Sequence, residues 1–250
     1  LQAWRERATE GRPETGATGV IQSSNIHDNY FGQYSYAAYG LVATGNQFHH
    51  NLFYGFDPHD GSTGFQVTYN KVYANGKHGI IFSRGCTNNL IGYNQVYDNA
   101  HHGIMLDRGS NNNTIANNDV YGNEDGIAIF QSSNNTVPDN TLHDNARGVR
   151  INATYDVTDV FDGIATGNRL SGNTIQNSGQ YGVYLYERAD RNILDGNSIL
   201  GSAAAGVYVK TGGNTIGRNE IRGNGTGISI VGGPLTPFPL QYKLDIHAKN

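Results

Sequence analysis

Asn70-Lys71-Val72-Tyr73-Ala74-Asn75, running on to Gly79-Ile80-Ile81-Phe82, is the stretch whose reading decides the fold. It returns as Asn94-Gln95-Val96-Tyr97-Asp98-Asn99, leading to Gly103-Ile104-Met105-Leu106. Further copies pair Asn118 with Gly126, Asn140 with Gly148, Asn173 with Gly182, Asn197 with Gly206 and Asn219 with Gly227, and weaker ones begin at Asn25 and Asn46. The leading asparagines are 21, 24, 24, 24, 22, 33, 24 and 22 residues apart. A near-constant period of this size means stacked supersecondary units. After each Gly, apolar residues alternate: Ile80 and Phe82, Ile104 and Leu106, Ile127 and Ile129, Val149 and Ile151, Val183 and Leu185, Val207 and Val209. Alternation of period two marks short strands with one buried face. A second apolar column runs Ile91, Ile115, Val137, Leu194, Ile216, and a third runs Val72, Val96, Val120, Leu142, Ile175, Ile199, Ile221.

Three short strands per turn predict an all-β fold, a right-handed parallel β-helix whose coils stack about 4.8 Å apart. A leucine-rich repeat has a similar period, but its leucine signature is missing. The repeated Asn residues suit tight turns, because they tolerate left-handed backbone and bond nearby amides. Stacked coil on coil, they are expected to form an internal hydrogen-bonded ladder. The repeat domain is expected over residues 1–233, with weak periodicity from Leu1 to Gly19 leaving room for earlier coils. The 33-residue interval predicts that Tyr155 to Gly167 leaves the coil as a loop. Residues 234–250, which carry three prolines and break the repeat, are expected to form a C-terminal cap or tail.

Composition narrows the function. Of 250 residues, 34 are Gly and 30 are Asn, together about a quarter of the chain. Charged residues are 15% and the net charge is −4, which excludes a nucleic-acid binder built on clustered Lys and Arg. No apolar run reaches the roughly 18 residues of a membrane-spanning helix. No N-terminal apolar segment reads as a signal peptide, so a secreted or periplasmic location has to be argued from substrate class. The single Cys86 rules out an internal disulfide and reads as a small core or turn residue. Nothing in the sequence speaks to oligomeric state.

One coil departs from the Gly-apolar-x-apolar rule: Tyr54-Gly55-Phe56-Asp57-Pro58-His59-Asp60. Registering Gly55 on Gly79 and Gly103 turns Phe56 and Pro58 inward and points Asp57 and His59 outward from one strand. A phenol, a carboxylate and an imidazole within six residues make a compact proton-handling group. Neighbouring coils extend it. The position before Gly reads Tyr54, His78, His102, Asp125; four after Gly reads His59, Ser83, Asp107; five after reads Asp60, Arg84, Arg108, Gln131. Lys77 precedes His78. A cation there would neutralise a substrate carboxylate and so ease removal of a proton from the adjacent carbon, with His or Tyr as base. Returning a proton from the opposite face gives epimerisation; protonating a departing oxygen gives β-elimination. Two carboxylates would also serve hydrolysis.

Tyr54-Gly-Phe-Asp57-Pro-His59-Asp60 resembles the YG(F/Y)DPH(D/E) motif of mannuronan C-5 epimerases, which convert β-D-mannuronate to α-L-guluronate within alginate. Lys77-His78-Gly79-Ile-Ile-Phe-Ser83-Arg84 and His101-His102-Gly103 resemble the same family, and the similarity covers most of Asn25 to Val231. It implies proton transfer by Tyr54 and His59, with support from Asp57. An imidazole near pKa 6.5 suits the base and a phenol the donor, so His59 is read as base and Tyr54 as donor, with His78 or His102 as the rival base. It also implies that Asp60, Lys77, Ser83, Arg84, His102, Asp107 and Arg108 line a groove for an anionic uronate polysaccharide. Some members carry Asp in the column after the motif His, where this chain has Ser83. The chain is closer to the periplasmic type than to the modular calcium-dependent type. It lacks any Gly-Gly-x-Gly-x-Asp calcium repeat, so no cofactor and no metal site are expected. A polyuronate lyase and a non-catalytic polysaccharide-binding solenoid are the alternatives.

Overall fold

The computed structural model describes residues 17–153 and 163–232. Over these residues the chain forms 27 short strands in three parallel nine-stranded sheets, and every third strand joins the same sheet. The first sheet starts at Val20–Gln22, the second at Asn25–His27 and the third at Gln33–Tyr36. The expected columns are in register: Ile80, Ile104 and Ile127 are direct partners, as are Phe82, Leu106 and Ile129. All six are fully buried in one continuous core.

Stacking explains the repeated glycine. A Cβ on Gly79 would lie 2.6 Å from the carbonyl oxygen of Gly103, and one on Gly103 would lie 2.8 Å from that of Gly126. The coil below leaves no room for any side chain at this position.

The asparagines form three ladders rather than one. The first runs Asn46, Asn70, Asn94, Asn118, Asn140, Asn173, Asn197, Asn219. The others run Asn51 to Asn145 and Asn89 to Asn214. Each rung satisfies buried backbone at a turn, where an unpaired group would be costly. Asn94 Nδ2, for example, donates to Asn118 Oδ1 at 3.0 Å and to Val67 O at 2.8 Å. Asn25 is not on this ladder. Ser24 holds that place and donates its backbone N–H to Asn46 Oδ1, a step of 22 residues; the Asn25 amide instead meets His49 Nε2 at 2.8 Å. Serines break the second ladder at Ser178 and Ser202, whose hydroxyls are buried without a hydrogen-bond partner among the described residues.

Most of the expected insertion, 155–162, lies outside the described residues, as do 1–16 and the expected cap over 234–250. The chain has already rejoined the coil by Ala165, which is fully buried, so Gly167 belongs to the regular turn.

Candidate active site

The site sits on the outer face of the third sheet. Its strands include Phe56–His59, Ile80–Ser83, His102–Asp107, Asp125–Phe130 and Arg147–Asn152. Pro58 has no N–H, and on its side facing Ile80–Ser83 the ladder pairs only Phe56 with Ile80 and His59 with Ser83. The first four strands are each followed by a residue with left-handed backbone: Asp60, Arg84, Arg108 and Gln131 have φ of 47°, 62°, 49° and 46°. This conformation is uncommon for residues with a side chain. Its recurrence in four successive coils turns those side chains back over the strand. Ser62, Cys86 and Ser110 close the turns by donating to the carbonyls of His59, Ser83 and Asp107. That is the role of the single cysteine, whose thiol is pushed up to about 12 by burial.

Four columns make the site. In the first, Tyr54, His78 and His102 stack like plates. Tyr54 and His78 are 5.1 Å apart and tilted by 10°, and His78 and His102 are 4.8 Å apart and tilted by 7°. Lys77 Nζ lies 4.8 Å from the Phe53 ring centre and 5.9 Å from that of Tyr54. Burial drives His78 well below the usual imidazole range, helped by the charges of His102, His101 and Lys77. Its Nδ1 accepts the backbone N–H of His102 at 3.3 Å, so this imidazole is neutral and carries its proton on Nε2. His102 Nδ1 is 3.0 Å from Asp125 Oδ2. Burial pushes the Asp125 carboxyl up, but the contacts of His102 and Arg147 outweigh it and hold it below its ordinary value.

The second column holds Asp57, in register with Tyr34, and, two residues after the glycines of the next coils, Ile81, Met105 and Ala128. Asp57 points outward as expected, yet it is only 2% exposed. Burial raises its carboxyl to about 7, with Asp60 and Asp107 adding to the rise and Arg108 opposing it. Asp57 Oδ1 has no hydrogen-bond partner among the described residues. Asp57 does not orient His59. That role falls to Asp60 in the fourth column, whose Oδ2 accepts from His59 Nδ1. A carboxylate on Nδ1 fixes the proton there and leaves Nε2 with a lone pair. Asp60, expected to line the substrate groove, also holds the imidazole of His59.

In the third and fourth columns, Ser83, Asp107 and Arg108 form a closed network. Arg108 Nε is 2.6 Å from Asp107 Oδ2, Arg108 Nη2 is 2.9 Å from Ser83 Oγ, and Ser83 Oγ is 3.1 Å from Asp107 Oδ2. Burial raises the Asp107 carboxyl despite these contacts. Arg108 therefore balances a buried carboxylate first, and a substrate carboxylate would have to share it. Arg84 stands one coil nearer to His59 and acts electrostatically on the Tyr34 phenol. Tyr34 faces His59 at 6.0 Å, and Phe31 stacks on Tyr54 at 5.5 Å, so two of the N-terminal aromatics wall the site.

Sequence reading missed two cations, Arg147 and Arg150. Arg147 Nε bonds Asp125, and its Nη2 reaches Glu124 Oε1 at 2.6 Å. Arg147 occupies the column before Gly, one coil beyond Asp125, whereas Arg150 sits two after Gly, in register with Ala128, a column the sequence reading did not follow. Extending the first column by one more coil would have found Arg147.

The family model described as periplasmic copper-binding protein (NosD) matches residues 14–164, and one described as right handed beta helix region matches residues 161–236. A mannuronan C5-epimerase of Pseudomonas fluorescens is 42% identical over 66 residues, which are 26% of this chain and 12% of that protein. The crystal structure of the periplasmic alginate epimerase AlgG superposes with a TM-score of 0.68 at 28% identity, covering 90% of this chain and 52% of that one. The A-module of the Azotobacter vinelandii mannuronan C-5 epimerase AlgE4 shares the fold, with a TM-score of 0.67 at 24% identity over 92% of this chain and 57% of that one. The chain thus spans about half the length of the solved epimerases, and its matched segment is a small part of the curated relative. As for the copper in the first description, no group of three or more His, Cys, Asp or Glu among the described residues is arranged to hold a metal ion.

Proposed function

The chain belongs to the periplasmic copper-binding protein (NosD) family of right-handed β-helices and is related to mannuronan C5-epimerases, and from that premise we propose that it epimerises β-D-mannuronate to α-L-guluronate within alginate. The observation that carries this reading is the motif coil itself. An imidazole with its proton fixed on Nδ1 by Asp60 lies beside a buried carboxyl at about 7, on the same strand that Tyr54 opens.

Tyr54 and His59 are five residues apart, on the order of 16 Å along an extended strand. In this reading one sugar ring sits between the two side chains, over Asp57. His59 Nε2 takes the C5 proton from one face, and the Tyr54 phenol returns a proton to the other. The acid form of Asp57 donates to the uronate carboxylate, and Arg84 supplies positive charge. Neutralising that carboxylate is what makes C5–H removable, because the electron pair left behind delocalises into it. No step needs a metal, and we propose that activity persists in the presence of a chelator. An alginate substrate also places the protein in the periplasm or outside the cell; among the described residues no helix is long and apolar enough to cross a membrane.

The test is proton NMR of polymannuronate incubated with the protein in deuterium oxide. Guluronate signals with deuterium at C5 are expected. Unsaturated uronate absorbance without guluronate would establish β-elimination instead, and binding with neither would leave a polysaccharide-binding solenoid.

A further inference from the structure

Beyond the motif coil the same outer face continues into a group of residues that the chemistry above does not use. The column of Met105 and Ala128 runs on through Arg150, Tyr184 and Tyr208, each in direct register with the next. Arg150 is gripped between two rings, with its guanidinium carbon 4.8 Å from the Phe130 centre and 5.9 Å from that of Tyr184. Such stacking holds a planar cation in place and leaves its N–H edge for a ligand. Its one acidic neighbour among the described residues is Asp125, 3.8 Å from Nη1, beyond hydrogen-bond reach. Asp125 is already committed to Arg147 and His102, and Arg147 is itself filled by Asp125, Glu124 and Gln180. Arg150 Nε is shielded from solvent and has no acceptor among the described residues. Beside it, Tyr181 and Tyr186 stack on Tyr184 at 4.9 and 5.2 Å, and Lys210 Nζ lies 3.3 Å from the Tyr186 hydroxyl. The Tyr184 phenol is pushed up to about 12 by burial, so it stays an O–H donor.

We propose that Arg150, with Tyr184 and Tyr208, is a remote subsite for the carboxylate of a second sugar in an anionic uronan, so that the polymer lies along the helix axis across the third sheet. The inference rests on the epimerase reading and adds where the chain beyond the reacting sugar is held. Four coil steps separate His59 from Arg150, roughly 19 Å at about 4.8 Å per coil. An oligomer of three sugars reacting at His59 falls short of Arg150, and one of about eight reaches it. Binding energy realised only by the longer chain then appears as length-dependent KM.

The experiment measures KM for purified mannuronate oligomers of about three and about eight residues. With the unaltered protein the longer oligomer should have a KM at least ~10-fold lower, the scale of one lost charged contact. Arg150→Gln should shrink that ratio to below ~2-fold, Arg150→Lys should restore part of it, and Tyr208→Ala should give an intermediate value. Thermal melting of each variant separates folding from binding, and Arg150→Lys keeps the test open if Arg150→Gln folds poorly. A length ratio unchanged in Arg150→Gln overturns the subsite while leaving the epimerase reading intact. Calorimetric titration of the long oligomer into His59→Ala protein tells the two apart: no binding at all overturns both.

Discussion

The outer faces of the second and third sheets are built from the same repeat and carry opposite chemistry. On the second sheet, His27, His49, Tyr73, Tyr97, Tyr121 and His143 stack as a ladder, with ring centres 4.7 to 4.9 Å apart. Its charges are settled locally, as in His27 on Asp28 and His143 on Asp144. Among the described residues, no buried side-chain polar atom on its strands lacks a partner, although Ser178 and Ser202 in the turns after two of them do. On the third sheet, Asp57 Oδ1, Asp107 Oδ1 and Arg150 Nε are buried without one, and two carboxyls are held above their ordinary values. A column of like rings stabilises the stack at little cost. A column that mixes acids, bases and cations leaves desolvated groups waiting for a partner, and such groups mark a functional site.

The sharpest way to break this contrast is to compare rates on the two faces. His59→Ala and Tyr54→Phe should each lower the epimerisation rate by about 10²-fold or more, the scale of lost acid–base catalysis. Tyr97→Ala on the second sheet should leave it within about twofold, by NMR-monitored initial rates. An equal loss on both faces would remove the third sheet's claim to the chemistry.

Next comes the ladder that both faces share. The Asn118 side chain donates to Ile91 O and Asn140 Oδ1 and accepts two N–H groups of Asn94, at 2.9 to 3.0 Å. Asn118→Ala orphans several buried groups, a loss of about 3 kcal/mol, which should lower Tm by roughly 6–12 °C. A smaller shift by calorimetry would mean that water replaces the amide.

Asp57 sharpens the comparison through pH. Its folded pKa, about 7, lies above the ordinary carboxyl value of 3.8. The folded state therefore holds the proton more tightly than the unfolded chain does. The stability this confers is complete below about pH 4 and is lost as pH rises through about 7. Asp57→Asn should accordingly melt at a higher temperature than the parent at pH 9, by a few degrees, and gain nothing at pH 4, while losing activity. Parallel melting curves at the two pH values would show that Asp57 is not the buried titrating group.

The smallest effect belongs to the second-sheet ladder. Tyr97 stacks on Tyr73 and Tyr121 at 4.9 Å each, so Tyr97→Ala should cost roughly 1–2 kcal/mol and lower Tm by about 2–8 °C. No change in Tm would mean that the rings touch without stabilising the stack.

The helical stack was legible because its cause is local and repeated. Each Gly must admit the carbonyl of the next coil, each inward position must be apolar, and each turn must carry an amide, so the period is written at Gly79, Gly103 and Gly126 alike. The motif coil was legible because Asp57, Pro58 and His59 break that rule. Who partners whom was not. Asp60 rather than Asp57 holds His59 because a left-handed turn folds the Asp60 carboxylate back over its own strand. Arg108 is hydrogen-bonded to Asp107 while Arg150 stands 3.8 Å from Asp125 because burial and neighbouring coils, not spacing along the chain, set which charges meet. Sequence determined the columns, since register follows from period. Tertiary structure alone decided the protonation and pairing within them, since both depend on desolvation and on atoms some 24 residues away.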